Sequence, residues 1–376
     1  MALLPVADAL ERVLAPASRL GTEKLPLEQC HGRVLGDDLG ALRTQPPADV
    51  SAMDGYALRA EDVKEVPSDL RVIGEVAAGR PFSGAIKPYE AVRIFTGGEV
   101  PQGADSIVIQ ENTTRTGRMV IVSVPPFAGR HIRSKGIDFS EGDMLLTRGR
   151  VLSGRDIALA SAMNHPTLPV YRKAKVAVLA TGDELVRPGE QPGPGQIVYS
   201  NGYSVMALAR QENAEVIDLG LVPDRVEDTV QAIRKAREVN ADVLVTMGGA
   251  SVGDYDLVQK ALSEEGIDLS FWKIAMRPGR PMMHGRLGDM HVLGLPGNPA
   301  SAYVCAFLFL LPLLRKLGGR IDIAHPTEAA LLGSDLPEND ERADYLRARM
   351  SRSLRGQLVA TPFPLQDSSL TRVLAE

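Results

Sequence analysis

The chain has 376 residues, more than a single hydrophobic core usually organises, so two or more domains are expected. Charged residues make up 24% and hydrophobic residues 44%, which is the balance of an ordinary globular protein. The formal net charge of -5 disfavours general nucleic-acid binding, which usually requires a basic face.

The cysteines and the apolar segments bear on the cellular compartment. Neither Cys30 nor Cys305 has the spacing of a disulfide framework or a zinc site, which fits a reducing environment. Residues 1–10 lack the basic start of a secretory signal, and the longest apolar run, 303–314, is too short to cross a bilayer. We therefore expect a cytoplasmic protein that does not bind membranes.

The first half of the chain predicts two regions. Residues 6–20 have apolar side chains at helical spacing and predict an amphipathic helix, and residues 155–163 predict another. Between them, short runs rich in Val and Ile predict a mostly β domain at 46–138, inserted into the chain. Residues 1–45 and 139–169 would then form an N-terminal helical and linker region.

The second half alternates between two patterns. Predicted strands alternate with predicted helices from about 170 to 320, which indicates βαβ units and a central parallel α/β sheet domain. Residues 321–376 return to a β pattern without an obvious closing strand, so we expect a small and incomplete last domain. The predicted fold class is multidomain α/β.

The most informative motif, residues 247–256, follows a predicted buried strand. In open α/β sheets, ligands bind beyond the carboxyl ends of the strands, and glycines let backbone N–H groups approach an anion. The candidate substrate-binding residues are Gly248, Gly249, Ser251 and Gly253, followed by the acid Asp256. Together they suit a phosphate held with a divalent cation, although a tight turn of any such sheet is the competing interpretation.

Two further segments are predicted at the same edge of the sheet. Pro296, Gly297 and Asn298 turn the chain from a strand into a helix, with Asn298 expected as the N-cap. Arg277 and Arg280 lie on a short proline-rich segment, and their guanidinium groups suit oxyanions. The alternative for the arginines is a solvated pair on a hairpin.

Several acids are candidates for chemistry. Glu184 follows the first strand of the sheet domain, and Asp224 precedes a helix that it could merely cap. Asp54 lies before a glycine among apolar neighbours, and Thr96 ends a strand at a glycine pair, where either segment could be only a turn. No nucleophile elbow, P-loop or HExxH motif occurs, which disfavours covalent serine or cysteine catalysis.

Six motifs in this order resemble the molybdopterin molybdenumtransferase family, which is related to the E domain of gephyrin. They begin with Ser51-Ala-Met-Asp-Gly-Tyr-Ala57 and Arg93-Ile-Phe-Thr-Gly-Gly98, and continue with Thr181-Gly-Asp-Glu-Leu185 and Gly248-Gly-Ala-Ser-Val-Gly253. Arg277-Pro-Gly-Arg-Pro281 and Leu295-Pro-Gly-Asn-Pro299 complete them.

The resemblance implies that molybdenum from molybdate is inserted into adenylylated molybdopterin, with release of AMP and a requirement for Mg²⁺. It also implies a homodimer in which segment 51–57 of one subunit lies near the sheet domain of the other. Contacts with the upstream adenylyltransferase or with molybdoenzyme acceptors of the cofactor would follow. The implied catalytic residues are Asp54, Thr96, Asp138, Glu184, Asp224 and Asp256, of which Glu184 and Asp256 are the expected metal ligands.

Two other functions remain open at this stage. One is a scaffold or binding module of the gephyrin type, because a fold does not fix a function. The other is a molybdopterin adenylyltransferase, which acts one step earlier and is similar in its GGxSxG domain.

Overall fold

The computed structural model describes residues 3–248 and 257–376. In the N-terminal and linker region the helices are Val6–Leu14 and Gly154–Ala162, with a 3-10 turn at Leu27–Gln29. Its strands are Thr22–Pro26, Leu39–Gly40, Met144–Leu146 and Thr167–Tyr171. The first helix ends at Leu14, earlier than the predicted residue 20, because Pro16 cannot donate a helical hydrogen bond.

The inserted region is mostly β, as predicted. Its strands are Val50–Ser51, Gly55–Leu58, Ser68–Val76, Glu90–Ile94, Ser106–Ile109, Thr113–Thr116, Met119–Val122 and Ile132–Arg133, with 3-10 turns at Ala60–Asp62 and Gln110–Asn112. Gly55–Leu58 is buried between Glu90–Ile94 and Ser106–Ile109 and is antiparallel to both. A Cβ atom on Gly55 would lie 2.0 Å from the Val108 carbonyl oxygen, so this central strand must begin with glycine.

The sheet domain has the predicted alternation. Its strands are Lys175–Thr181, Leu185–Val186, Ile197–Val198, Glu215–Val222, Val243–Met247, Asp268–Trp272, Met276–Arg277, Met283–Leu287 and Met290–Leu295. Its helices are Asn201–Gln211, Val226–Glu238, Leu257–Glu264, Pro299–Cys305 and Leu311–Leu317, the last two joined by a π-helical segment at Ala306–Leu310.

The main sheet is parallel at its centre and antiparallel at one edge. Lys175–Thr181 pairs in parallel with Glu215–Val222 and with Val243–Met247, which in turn pairs in parallel with Met290–Leu295. Beyond them, Met283–Leu287 and Asp268–Trp272 continue the sheet with antiparallel pairing. The βαβ pattern did not predict this edge, where only residues 288 and 289 connect Met283–Leu287 to Met290–Leu295 and leave no room for a crossover helix.

Apolar clusters cover both faces of this sheet. One face packs against the helices Val6–Leu14 and Asn201–Gln211 and the long segment Pro299–Leu317, and the other against Val226–Glu238 and Leu257–Glu264. Pro299–Leu317 is, among the described residues, the one helix long and apolar enough to cross a membrane, but 67% of its apolar window is buried in the protein. It is therefore the buried core helix that the apolar run predicts.

The C-terminal region forms a small sheet from Leu331–Leu332, Ala348–Arg352 and Leu358–Pro362, followed by a short helix at Arg372–Ala375. A further strand, Ala343–Asp344, pairs in parallel with Met276–Arg277 of the sheet domain. The C-terminal region is thereby fixed against the arginine segment.

Candidate active site

Gly248, the first glycine of the predicted motif, lies where two neighbouring parallel strands end. Gly248 follows the strand Val243–Met247 and has a φ of 90°, in the left-handed region that favours glycine. A Cβ atom at this position would lie 2.5 Å from the carbonyl oxygen of Thr181, the last residue of the adjacent strand. A residue without a side chain is thus required where the two strand ends meet.

A cleft of about 570 Å³ opens at this edge of the sheet. The predicted residues that line it are Glu184, Gly248, Arg277, Arg280, Pro296, Gly297 and Asn298. The chain brings these residues together from four separate segments, because the carboxyl ends of parallel strands share one edge of the sheet.

Arg277 is already bonded to the C-terminal region. Its Nε and Nη2 atoms each donate to one carboxylate oxygen of Asp344 at 2.8 Å, and Nη2 also donates to Asn339 at 3.2 Å. Its Nη1 atom lies 3.8 Å from Asp340. The hydrogen bonds to Asp344 raise the pKa of the Arg277 guanidinium above its ordinary value. The guanidinium therefore remains charged, with its fork facing Asp344.

Arg280 differs in its surroundings. Its side chain is exposed and, within the described part of the chain, has no side-chain hydrogen bond or ion pair. Its guanidinium is therefore available to a bound anion, whereas an anion at Arg277 must share the guanidinium with Asp344 or displace it.

The loop before the core helix is held from two sides. Asn298 is at the N-cap position, as predicted, but its side chain does not cap the helix: its Nδ2 atom donates to Ser368 Oγ at 2.7 Å. The N–H of Ala300 donates to the Ser368 carbonyl oxygen at 2.9 Å, so one expected free helix donor is already satisfied. On the opposite side, Asn201 Nδ2 donates to the Gly297 carbonyl oxygen at 2.5 Å.

Glu184 and Asp224 occupy different positions near this edge. The Glu184 carboxylate folds back over Gly182, where a Cβ atom would be 2.5 Å from Oε2, and Glu184 lines the cleft. The Asp224 N–H donates a hydrogen bond to Asp183 Oδ1 at 3.2 Å, and the Asp183 N–H donates one to Asp224 Oδ2 at 3.4 Å. Asp224 is not the N-cap of the next helix, since Arg225 takes that position.

Asp54 and Thr96 form a second group, in the inserted domain. Asp54 precedes the strand Gly55–Leu58 and Thr96 follows Glu90–Ile94, and the antiparallel register pairs Gly55 with Ile94. Asp54 Oδ1 accepts hydrogen bonds from the Thr96 N–H at 2.7 Å and the Thr96 hydroxyl at 2.9 Å. These bonds, the backbone one first, lower the pKa of the exposed Asp54 carboxyl, which therefore stays ionised at neutral pH.

The remaining predicted residues are not at the cleft in this chain. Asp138 is exposed, and its N–H donates to the Gln45 carbonyl oxygen at 3.1 Å, while its carboxylate has no side-chain bond within the described residues. Asp138, Asp224 and the Asp54–Thr96 pair do not line the cleft. The predictions for Gly249, Ser251, Gly253 and Asp256 lie outside the described residues.

Similarity to known proteins covers most of the chain. The family descriptions "MoeA N-terminal region (domain I and II)", "Probable molybdopterin binding domain" and "MoeA C-terminal region (domain IV)" match residues 4–164, 177–316 and 329–376. The molybdopterin molybdenumtransferase of a Nostoc species is 39% identical over 80% of this chain and 71% of that protein. The one from Bacillus subtilis is 33% identical over 99% of this chain and 88% of that protein. The chain belongs to the molybdopterin molybdenumtransferase family.

The fold agrees with this assignment. The crystal structure of the molybdopterin biosynthesis MoeA protein from Pyrococcus horikosii superposes with a TM-score of 0.85 at 32% identity, covering 99% of this chain and 93% of that chain. As a member of the molybdenumtransferase family, the protein is an enzyme of molybdenum cofactor biosynthesis that acts on molybdopterin. The resemblance seen in six sequence motifs is thus confirmed.

Sequence motifs missed part of the molybdenumtransferase cleft. The additional polar residues that line it are Ser301, Arg342, Gln366 and Ser368, three of them from the C-terminal region. No local motif marks Arg342 or Ser368, because they reach the cleft only when the C-terminal region pairs with Met276–Arg277. A basic residue among the acids of 338–344 was the one available signal.

The donor set of the cleft fits a magnesium ion only in the presence of substrate. Among the described residues, no group of three or more His, Cys, Asp and Glu side chains could hold a metal ion. Magnesium usually binds one or two carboxylates and completes its coordination with phosphates and water. Glu184, with the predicted Asp256, would supply such a partial set to a substrate that carries phosphates.

Proposed function

We propose that this chain inserts molybdenum from molybdate into adenylylated molybdopterin, releasing AMP and forming molybdenum cofactor in a magnesium-dependent reaction. The observation that carries the proposal is the cleft, in which Gly248, three arginines and Glu184 converge. Molybdate is a tetrahedral dianion and the second substrate contains phosphates, so both match charge-assisted hydrogen bonds from guanidinium groups.

The residues of the cleft suit different parts of this reaction. Arg280 is available to an oxyanion, and Ser301 adds a hydroxyl donor to the same cleft. In the reaction, an oxygen atom of water or of molybdate bonds to the molybdopterin phosphorus as the phosphoanhydride bond of the adenylylated substrate breaks and its electron pair leaves with AMP, so positive charge near the leaving phosphate lowers the barrier. When bound by Glu184 and the predicted Asp256, Mg²⁺ would supply part of that charge.

We further propose that the active enzyme is a homodimer whose sites contain residues of both subunits. The support is that Asp54, Thr96 and Asp138 lie outside the sheet domain and do not line the cleft of their own chain, although the family resemblance assigns them to the site. The Asp54 carboxylate is ionised and exposed, and only Thr96 donates hydrogen bonds to Asp54 Oδ1 within the described residues. It therefore has free acceptor capacity for a group that another chain presents.

We assign this reaction to the cytoplasm. Cys30 and Cys305 are free and buried, so no disulfide between them contributes to the fold, as expected of a protein from a reducing compartment. The proposed interaction partners are molybdate, adenylylated molybdopterin and a second copy of the chain. The upstream adenylyltransferase and the molybdoenzymes that accept the cofactor are proposed as transient partners.

The test is chromatographic measurement of AMP released from adenylylated molybdopterin, with molybdate and Mg²⁺ each present or omitted. We expect release that requires both, and loss of it in Glu184→Gln but not in Glu190→Gln. Glu190 is a matched control, because this exposed acid six residues further along the chain accepts a hydrogen bond from the Arg187 N–H at 2.8 Å and does not line the cleft.

Three other results would contradict the proposed reaction. Release without molybdate would contradict a coupled insertion reaction. Consumption of ATP with molybdopterin alone would favour the adenylyltransferase. A folded protein that releases no AMP under any of these conditions would favour a scaffold role.

A further inference from the structure

The arginines of the cleft are engaged by acids of the C-terminal region. Asp344 binds Arg277 through both of its carboxylate oxygens, each at 2.8 Å. Asp340 binds Arg342, with its Oδ2 atom 2.5 Å from Nη2, and lies 3.8 Å from Arg277. Two of the three arginines that line the cleft are therefore already paired with carboxylates.

Among the described residues, the positive and negative charges around the cleft are balanced. Three arginines of this part of the chain line it, and three carboxylates either line it or contact those arginines: Arg277, Arg280 and Arg342 against Asp340, Asp344 and Glu184. A bound dianion would add two negative charges to a neutral set. Tight binding of a dianion therefore requires that carboxylates leave the guanidinium groups or that additional cations enter.

The geometry allows the carboxylates to leave without separation of the two regions. Residues 343–345 are held by the backbone, since the Ala343 N–H donates to Ala275 at 2.9 Å and the Tyr345 N–H donates to Arg277 at 2.8 Å. The side-chain pair is more exposed, with relative exposures of 48% for Arg277 and 22% for Asp344. Solvent reaches both groups, so water can hydrate the Asp344 carboxylate once it rotates away, although the two-bond geometry makes this pair stronger than most exposed ion pairs.

We propose that Asp344 and Asp340 compete with the oxyanion substrate for Arg277 and Arg342, and thereby set the affinity of the cleft for dianions. In the free enzyme the two carboxylates occupy the guanidinium groups, and a bound tetrahedral dianion replaces them. The inference names two residues that set the affinity of the cleft and rests on the proposed function, in which molybdate is that dianion.

The test is isothermal titration of molybdate, and separately of sulfate, into the wild-type protein and Asp344→Asn. A carboxylate that competes at a guanidinium lowers anion affinity, so we expect Asp344→Asn to bind both dianions about five- to tenfold more tightly. Asp340→Asn should show a smaller gain. The double variant Asp344→Asn, Arg277→Gln should bind dianions no more tightly than Arg277→Gln alone, because the gain in affinity requires the released Arg277 guanidinium.

Asp322→Asn is the matched control. It removes the same charge from an exposed pair, with Arg320 at 2.7 Å, that does not line the cleft. We expect dianion binding to change less than about twofold in this variant. A gain in Asp322→Asn equal to that in Asp344→Asn would mean that only net charge matters and would overturn the inference.

The outcomes separate the inference from the proposed function. Molybdate binding that is unchanged or weaker in a folded Asp344→Asn protein would contradict the inference and leave the proposed reaction standing. Tighter sulfate binding without molybdate-dependent AMP release would support the competition and contradict the reaction. If neither the wild-type protein nor Asp344→Asn binds molybdate or sulfate, both the inference and the proposed function would be contradicted.

Discussion

The cleft of the sheet domain and the Asp54–Thr96 pair of the inserted domain are built in opposite ways. The cleft collects arginines from segments far apart in the chain, and acids already neutralise two of them. The pair comes from neighbouring ends of two adjacent strands and presents an ionised acid whose bound partners are uncharged donors of Thr96. The two groups are separate within one chain, and the homodimer proposed above would bring them together.

The largest predicted effect separates a site within one chain from a site shared by two. Asp54→Ala and Glu184→Ala should each reduce AMP release by at least about 100-fold, because each removes a charged group proposed to act in the reaction. If the site is shared, a heterodimer of the two variants has one intact site. It should therefore recover about half of the wild-type activity per dimer. Coexpression with two affinity tags isolates this heterodimer for the assay.

A control heterodimer completes this experiment. A chain that carries both substitutions, paired with a wild-type chain, leaves each shared site with one defect and should have little activity. If both groups instead act within one chain, the wild-type chain of this control keeps an intact site. Activity in the control and none in the mixed heterodimer would rule out the shared site.

The sequence predicted what depends on local patterns. Strand and helix alternation identified the sheet domain, and glycine motifs after strands located Gly248 and Gly297 at one edge, because strand ends in a parallel sheet share that edge. The pairing of Asp54 with Thr96 was not predicted, since it depends on the register of Gly55 with Ile94. Register follows from tertiary packing of both strands and has no short motif.

Contacts between regions were beyond sequence patterns. The motif predicts Arg277 as an oxyanion ligand, whereas in the structure its guanidinium donates to Asp344, 67 residues further along the chain. Asn298 takes the predicted N-cap position, but its side chain contacts Ser368 in the C-terminal region. In both cases the motif identified the correct location, and a distant segment determined the partner.

A smaller effect tests whether the inserted domain can be damaged without damage to the cleft. Gly55→Ala should lower the free energy of unfolding by about 1–3 kcal/mol, because its Cβ would clash with the Val108 carbonyl. Urea denaturation measures this change, and Gly154→Ala, with no atom within 4 Å of the new Cβ, is the control. We expect AMP release to fall in Gly55→Ala while molybdate binding to the cleft is retained. Equal loss of both would show that the two regions are not independent.

The smallest predicted effect concerns the proton affinity of Asp54. Thr96→Val removes the hydroxyl donor and keeps the backbone N–H, so the Asp54 pKa rises towards its ordinary value. An acid that must be ionised loses activity as the pH falls through its pKa. The acidic limb of the activity profile should therefore move to higher pH, with a loss of about three- to tenfold at neutral pH from the missing bond. Thr96→Ser keeps the hydroxyl and should retain the wild-type profile, so an identical shift in both variants would show that the methyl group of Thr96, and not its hydrogen bond, controls the acid.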